Sequence, residues 1–210
     1  MIDQAIRFQA DGLSLEGVIA VPEGAARGAV ICHPHPQYGG TMENVVVRAI
    51  ATALNDAGVA ILRFNFRGVG ASEGRYAGGK GEAHDARAAV AFLLERLGAP
   101  DLALVGYSFG AVVALAAGHN EAAGVSRLVA VAPPIAMCDL SFLVTCRKPK
   151  LFVIGDRDPY CPLPVLEQHV ATFPEPKALV HLAGADHFFG GQERAVAQAV
   201  ARFCTVAHAV

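Results

Sequence analysis

Along most of this chain, short and mainly apolar runs alternate with longer stretches whose apolar residues recur every three or four positions. The runs at 28–32, 59–66, 101–106, 127–132, 150–154 and 178–182 have the length of core strands. Between them, 43–58 puts Val45, Val46, Ala49, Ile50 and Leu54 on one helical face. Helices are also expected over 82–97, where Gly98 supplies the stop, and over 109–119, 164–172 and 193–207. The start of the chain reads differently. Residues 5–10 and 13–21 flank Asp11-Gly12, a dipeptide that signals a two-residue hairpin when it joins alternating segments. A glycine-rich loop spans 67–81, and a mixed stretch at 133–148 has room for a turn or one short helix around 139–144.

Strands alternating with helices predict a mainly parallel, twisted α/β sheet of about eight strands covered by helices on both faces. Composition agrees: 53% of residues are hydrophobic and 17% charged, which suits strands buried on both sides. No linker, repeat or low-complexity tract interrupts residues 1–210, so a single domain is expected. A net charge of −2 points to neither nucleic acid nor an anionic membrane as partner. Met1-Ile2-Asp3-Gln4 lacks the basic-then-apolar pattern of a secretory leader. No apolar run reaches the roughly 18 residues that a membrane span needs. The five cysteines are widely spaced and odd in number, and they read as reduced thiols of a cytoplasmic protein rather than a disulfide framework.

The sharpest chemical signal is Gly106-Tyr107-Ser108-Phe109-Gly110, set between the apolar run Leu102-Ala103-Leu104-Val105 and the apolar helix that follows. A serine on a tight strand-to-helix turn has a strained backbone, and its hydroxyl is pushed above the sheet edge. Strand and helix then pass so closely that only glycine fits two residues before and after it. The same turn aims the Phe109 amide and the helix N-terminus at a developing oxyanion. The plain alternative is a glycine-rich turn with a serine cap, so the partners of Ser108 decide the matter.

A serine hydroxyl needs a base, and the base needs an orienting group. With a nucleophile on such a turn, the chain order is serine, acid, histidine. Of the histidines downstream, His119 and His169 fall in helices, His181 in a strand and His208 in the tail. His187 alone follows the last strand, within Gly184-Ala185-Asp186-His187-Phe188-Phe189. Loops at the carboxyl ends of parallel strands are where such sheets build their sites. For the acid, the run 150–154 leads into Gly155-Asp156-Arg157-Asp158-Pro159. Asp156 is suited to capping the turn, whereas Asp158 lies further out, where a loop can curl toward a histidine on the adjacent strand. Asp158 is therefore the expected acid, and Asp186 the residue that holds the histidine loop.

Gly-Tyr-Ser-Phe-Gly, then Gly155-x-x-Asp158-Pro159, then Asp186-His187-Phe188 resembles the run of signatures of the α/β-hydrolase family, over residues 13–203. The resemblance implies that fold, Asp158 in the acid position, and no cofactor. It also implies an oxyanion loop after the run 28–32, where the family carries His-Gly and then a donor amide. His33 matches the histidine, Pro34 departs from the glycine, and His35 matches the donor. Pro36 has no amide hydrogen to give. The expected oxyanion hole is thus the backbone N–H of His35 and of Phe109. The His-Pro-His-Pro…Tyr-Gly-Gly-Thr form resembles a small lid-less bacterial group distantly similar to dienelactone hydrolases. Family members often insert a lid where this chain has only 133–148, so a shallow and open site is expected. Ile135, Met137, Phe142, Leu143 and Phe188 are candidate apolar walls.

Two competing motifs are weaker. His33 and His35 could ligate a metal, but Pro34 constrains them and no carboxylate or cysteine cluster completes a site. Arg67-Gly68-Val69-Gly70-Ala71-Ser72-Glu73-Gly74 invites a nucleotide reading, yet its glycines miss the dinucleotide spacing. The resemblance instead has this loop shape the pocket floor. The expected function is a carboxylesterase acting on a small-molecule acyl substrate through Ser108, with self-association left open. A thioesterase, an amidase or peptidase, and an acyltransferase share the same chemistry, and a non-catalytic ligand-binding protein of the same fold is the alternative from another class.

Overall fold

The computed structural model describes residues 3–98, 101–120 and 124–206. Met1 and Ile2, the expected end of the closing helix at Ala207, and His208 lie outside them. Eight strands form one sheet in the order β1-β2-β4-β3-β5-β6-β7-β8. The strands β1 (Gln4–Ala10) and β2 (Leu13–Ala20) are the expected antiparallel hairpin, with Asp11 and Gly12 both at positive φ in its two-residue turn. β2 pairs antiparallel with β4 (Ala60–Phe64). From there on all pairs are parallel, through β3 (Gly28–Cys32), β5 (Leu102–Tyr107), β6 (Val125–Val131), β7 (Lys150–Gly155) and β8 (Lys177–Leu182).

The apolar runs read as strands because each must be covered twice. Along β3, Ala29 and Ile31 face one core layer while Val30 and Cys32 face the other. The first layer is closed by α1 (Val45–Asp56) and α5 (Glu193–Thr205). The second is closed by α2 (Lys80–Leu97), α3 (Phe109–Gly118) and α4 (Leu163–Thr172). From β3 the chain crosses to β4 on one side, then returns past β3 to β5 on the other. The order reverses between β3 and β5, and the loops leaving their carboxyl ends open a crevice at this switch point. Those loops begin with His33 and Ser108.

Several boundaries differ from the periodicity, each for a local reason. α2 starts at Lys80, before Glu82, because Glu82 occupies its third position and reaches back to the amides of Gly79 and Ala77, 2.7 and 2.8 Å away. β4 stops at Phe64, since Asn65 and Phe66 turn their amides to the Glu16 carbonyl and the His33 ring. The stretch between β6 and β7 contains one 3-10 turn, Ser141–Thr145, entered through an Asp139 carboxylate that accepts from the Ser141 amide at 2.8 Å. No helix among the described residues is long and apolar enough to cross a membrane.

Candidate active site

The turn after β5 has the geometry that the pentapeptide demands. Ser108 sits at φ 55° and ψ −122°, a conformation that a residue with a side chain adopts only at a cost of about 1–3 kcal/mol. A Cβ on Gly106 would lie 2.0 Å from the Gly110 carbonyl oxygen, and one on Gly110 would lie 2.4 Å from those of Cys32 and His33. The Ser108 amide donates to the Val131 carbonyl at 2.8 Å, which ties the turn to β6.

His187 stands in the loop between β8 and α5. Asp186 Oδ1 accepts from the amides of Phe188 and Phe189, at 2.9 and 3.1 Å, and so holds that loop as the sequence suggested. Tyr107 adds a brace from beneath. Its buried hydroxyl donates to the His187 carbonyl at 3.0 Å, and burial together with the nearby carboxylates of Asp158 and Asp186 pushes its pKa up, so it stays protonated. Sequence reasoning missed this role, although a hydroxyl at the end of an otherwise apolar strand was a visible sign.

The Asp158 loop reaches His187 because β7 ends on a glycine. A Cβ at Gly155 would fall 2.2 Å from the Ala185 carbonyl oxygen, so the loops after β7 and β8 touch backbone to backbone. Asp156 staples that contact by accepting from the Gly184 amide at 2.7 Å. Asp158, beyond it, is buried. One of its oxygens accepts from the amides of Tyr160 and Cys161, at 2.8 and 3.1 Å, and the other faces His187 Nδ1 at 2.7 Å. The opposite ring nitrogen, Nε2, lies 2.9 Å from Ser108 Oγ. With the Nδ1 hydrogen committed to a carboxylate, Nε2 carries a lone pair toward the hydroxyl.

The loop after β3 folds back on itself, and the His35 carbonyl accepts from the amides of Tyr38 and Gly40 at 3.1 and 3.0 Å. The His35 ring packs between Tyr38, Tyr76 and Phe109, with centroids 4.8, 5.1 and 4.8 Å away. Neither the His35 amide nor the Phe109 amide has an acceptor among the described residues, and both residues line the groove that contains Ser108.

His33 is turned away from that groove. Nδ1 lies 2.6 Å from the Pro34 carbonyl and must donate, so Nε2 accepts from the Phe66 amide at 3.1 Å. Both ring nitrogens are used by the backbone, and burial pushes the imidazole down to about 4. Protonating Nε2 would set two donors against each other. Because the folded pKa lies below the unfolded one, the unfolded chain binds the extra proton first, and stability falls as pH drops below about 6.5 toward 4. The full shift is worth at most ~3 kcal/mol. Urea midpoints measured between pH 7 and 4.5 should fall in the native protein and fall less in His33→Gln. An equal fall in both would assign the acid sensitivity elsewhere.

Two expectations about the surroundings need correction. The Arg67–Gly74 loop does not line the groove. Arg67 is clamped by the buried Asp85 at 2.7 Å and by Asp11 at 3.1 Å, and Ser72 donates to the Asn65 carbonyl at 2.7 Å. The clamp fixes the base of α2, and the groove wall comes from Gly78, Gly79 and α2 itself. Of the candidate apolar walls, Met137 and Phe188 are exposed and line the groove, but Ile135 and Leu143 are core residues and Phe142 packs on His119. With no long insertion between β6 and β7, the groove beside Ser108 has a volume of about 980 Å³. That volume is at the upper end for small-molecule sites.

Comparison with known proteins fits this geometry. Residues 30–145 match a family model described as the alpha/beta hydrolase fold. An uncharacterised protein of Rickettsia prowazekii is 34% identical over 170 residues, which span 77% of this chain and 71% of that protein. A structure described as an alpha-beta serine hydrolase homologue from Coxiella burnetii is 35% identical with a TM-score of 0.88, over 96% of this chain and 97% of that one. A serine hydrolase without a lid from Xanthomonas campestris is 30% identical with a TM-score of 0.86, over 96% and 93% of the two chains.

Proposed function

This chain belongs to the α/β-hydrolase family, and from that premise we propose that it is a carboxylesterase that cleaves small or medium acyl esters through an acyl-enzyme on Ser108. The observation that supports this reading is the relay of two short hydrogen bonds, Ser108 to His187 at 2.9 Å and His187 to Asp158 at 2.7 Å, beside an apolar groove. Asp158 keeps the proton on Nδ1, so Nε2 takes the Ser108 proton as Oγ bonds to the substrate carbonyl carbon. The carbonyl electron pair moves to oxygen, and the amides of His35 and Phe109, together with the α3 N-terminus, stabilise the oxyanion. Collapse breaks the bond to the leaving alcohol, which departs with the proton from His187. Water then attacks the acyl-serine and gives a proton to Nε2. The second collapse releases the acid and returns the proton to Ser108.

A fluorophosphonate should label the native protein on Ser108. p-Nitrophenyl esters of short and medium chains should turn over faster than matched thioesters or peptide amides. A native protein that takes no label would refute serine catalysis. Preferential thioester or amide cleavage would keep the nucleophile and replace the substrate class.

A further inference from the structure

We infer that the groove selects acyl groups ending in a carboxylate, held about 12 Å from the reacting carbonyl; this rests on Ser108 being the nucleophile. The groove does not stop at the serine. It continues along α3, where Phe109, Val112, Val113 and Ala116 fall at one-turn spacings on the face it exposes. No polar side chain interrupts that stripe. Ala116 lies a little over two turns beyond Ser108, which is about 12 Å at the helical rise.

The facing wall is α2, whose Lys80, His84 and Arg87 line the groove together with Ala83. No Asp or Glu lines it among the described residues. Arg87 sets the far end. Its Nε and Nη2 donate to the carbonyls of Ala117 and Ala116, each at 3.2 Å, which fixes the guanidinium beside the last turn of α3. Nη1 has no acceptor among the described residues, and neither has Lys80 Nζ. His84 differs, because its Nδ1 faces Asp11 at 2.9 Å. A guanidinium held in advance loses little further freedom when it takes a carboxylate in its planar fork. An apolar track ending at a fixed cation therefore measures the acyl chain. Lys80 and Arg87 are both exposed, so water and salt screen the attraction and the selectivity is modest.

The test uses p-nitrophenyl monoesters of straight-chain dicarboxylic acids of increasing length, each beside its methyl-capped, neutral counterpart. For the native protein, the ratio of kcat/KM for free acid over capped ester should peak at about tenfold for the chain that spans the groove, and should shrink as salt is raised. Arg87→Met and, separately, Lys80→Glu should pull that peak toward one. Arg87 also holds α3, so the Lys80 variant keeps the test independent of any loss of fold. A ratio near one at every length, or a peak unmoved by both substitutions, would overturn the inference. If the native protein hydrolyses none of these esters, the esterase reading fails. The groove is then judged by calorimetric titration of Ser108→Ala with monomethyl sebacate and dimethyl sebacate, where tighter binding of the anion sustains the inference and equal binding ends it.

Discussion

Ser108→Ala is expected to lower kcat/KM by about four to six orders of magnitude while moving the melting temperature by only a few degrees. The two effects separate because of where the serine stands. Its backbone is held at φ 55° by the close approach of Gly106 and Gly110, and alanine has the same Cβ to strain there. What the variant loses is one hydroxyl whose hydrogen bond to His187 contributes about 1 kcal/mol to folding. In the proposed reaction the same oxygen forms the new covalent bond. The groove holds two other histidines, His35 and His84, but His35 is engaged by the Gln37 amide and Tyr76, and His84 by Asp11. Ester hydrolysis at the native rate in the purified variant, with the substitution verified by mass, would remove Ser108 from the reaction.

The second large effect comes from comparing two aspartates two positions apart. Asp158→Asn should cost about 10⁴ in rate, by analogy with the same change in serine proteases. An amide that still accepts from Tyr160 and Cys161 must turn its NH₂ toward His187 Nδ1. The imidazole then shifts its hydrogen to Nε2, and a nitrogen that carries a hydrogen cannot take the serine proton. Asp156→Asn should cost under about tenfold, because asparagine keeps an oxygen for the Gly184 amide. Matched pH–rate profiles of both variants read the difference. If Asp156→Asn is the crippling change, the staple between the β7 and β8 loops matters more than the orientation of the ring.

How much of this was legible beforehand depends on how far apart the cooperating residues lie. The strand and helix order was legible because each element is encoded by contiguous residues. An apolar run of strand length such as 102–105 must be buried on both faces wherever it lands, and Asp11-Gly12 closes a hairpin through its own backbone preferences. The elbow was legible for the same reason, since Gly106 and Gly110 act on a turn two residues away.

Ser108, Asp158 and His187 were named as candidates from their places along the chain, and the tertiary structure decides that their side chains meet. Ser108 and His187 are 79 positions apart and Asp158 and His187 are 29 apart, so their contacts depend on sheet register and not on any local preference. Asp158 rather than Asp156 faces the ring because Gly155 lets β7 press against Ala185, a contact between two backbones that no pattern in either segment announces. Arg67 was assigned to the pocket from its loop, yet the buried Asp85 on α2 draws it away, since an unpaired buried carboxylate would cost more than a glycine-rich loop can resist. The groove wall of Lys80, Ala83, His84 and Arg87 left the weakest trace, because on α2 it is an ordinary polar face and becomes a wall only once α3 is packed beside it. Periodicity and turn chemistry are summed over neighbours in the chain. A site is summed over neighbours in space, and those neighbours exist only after the sheet has closed its register.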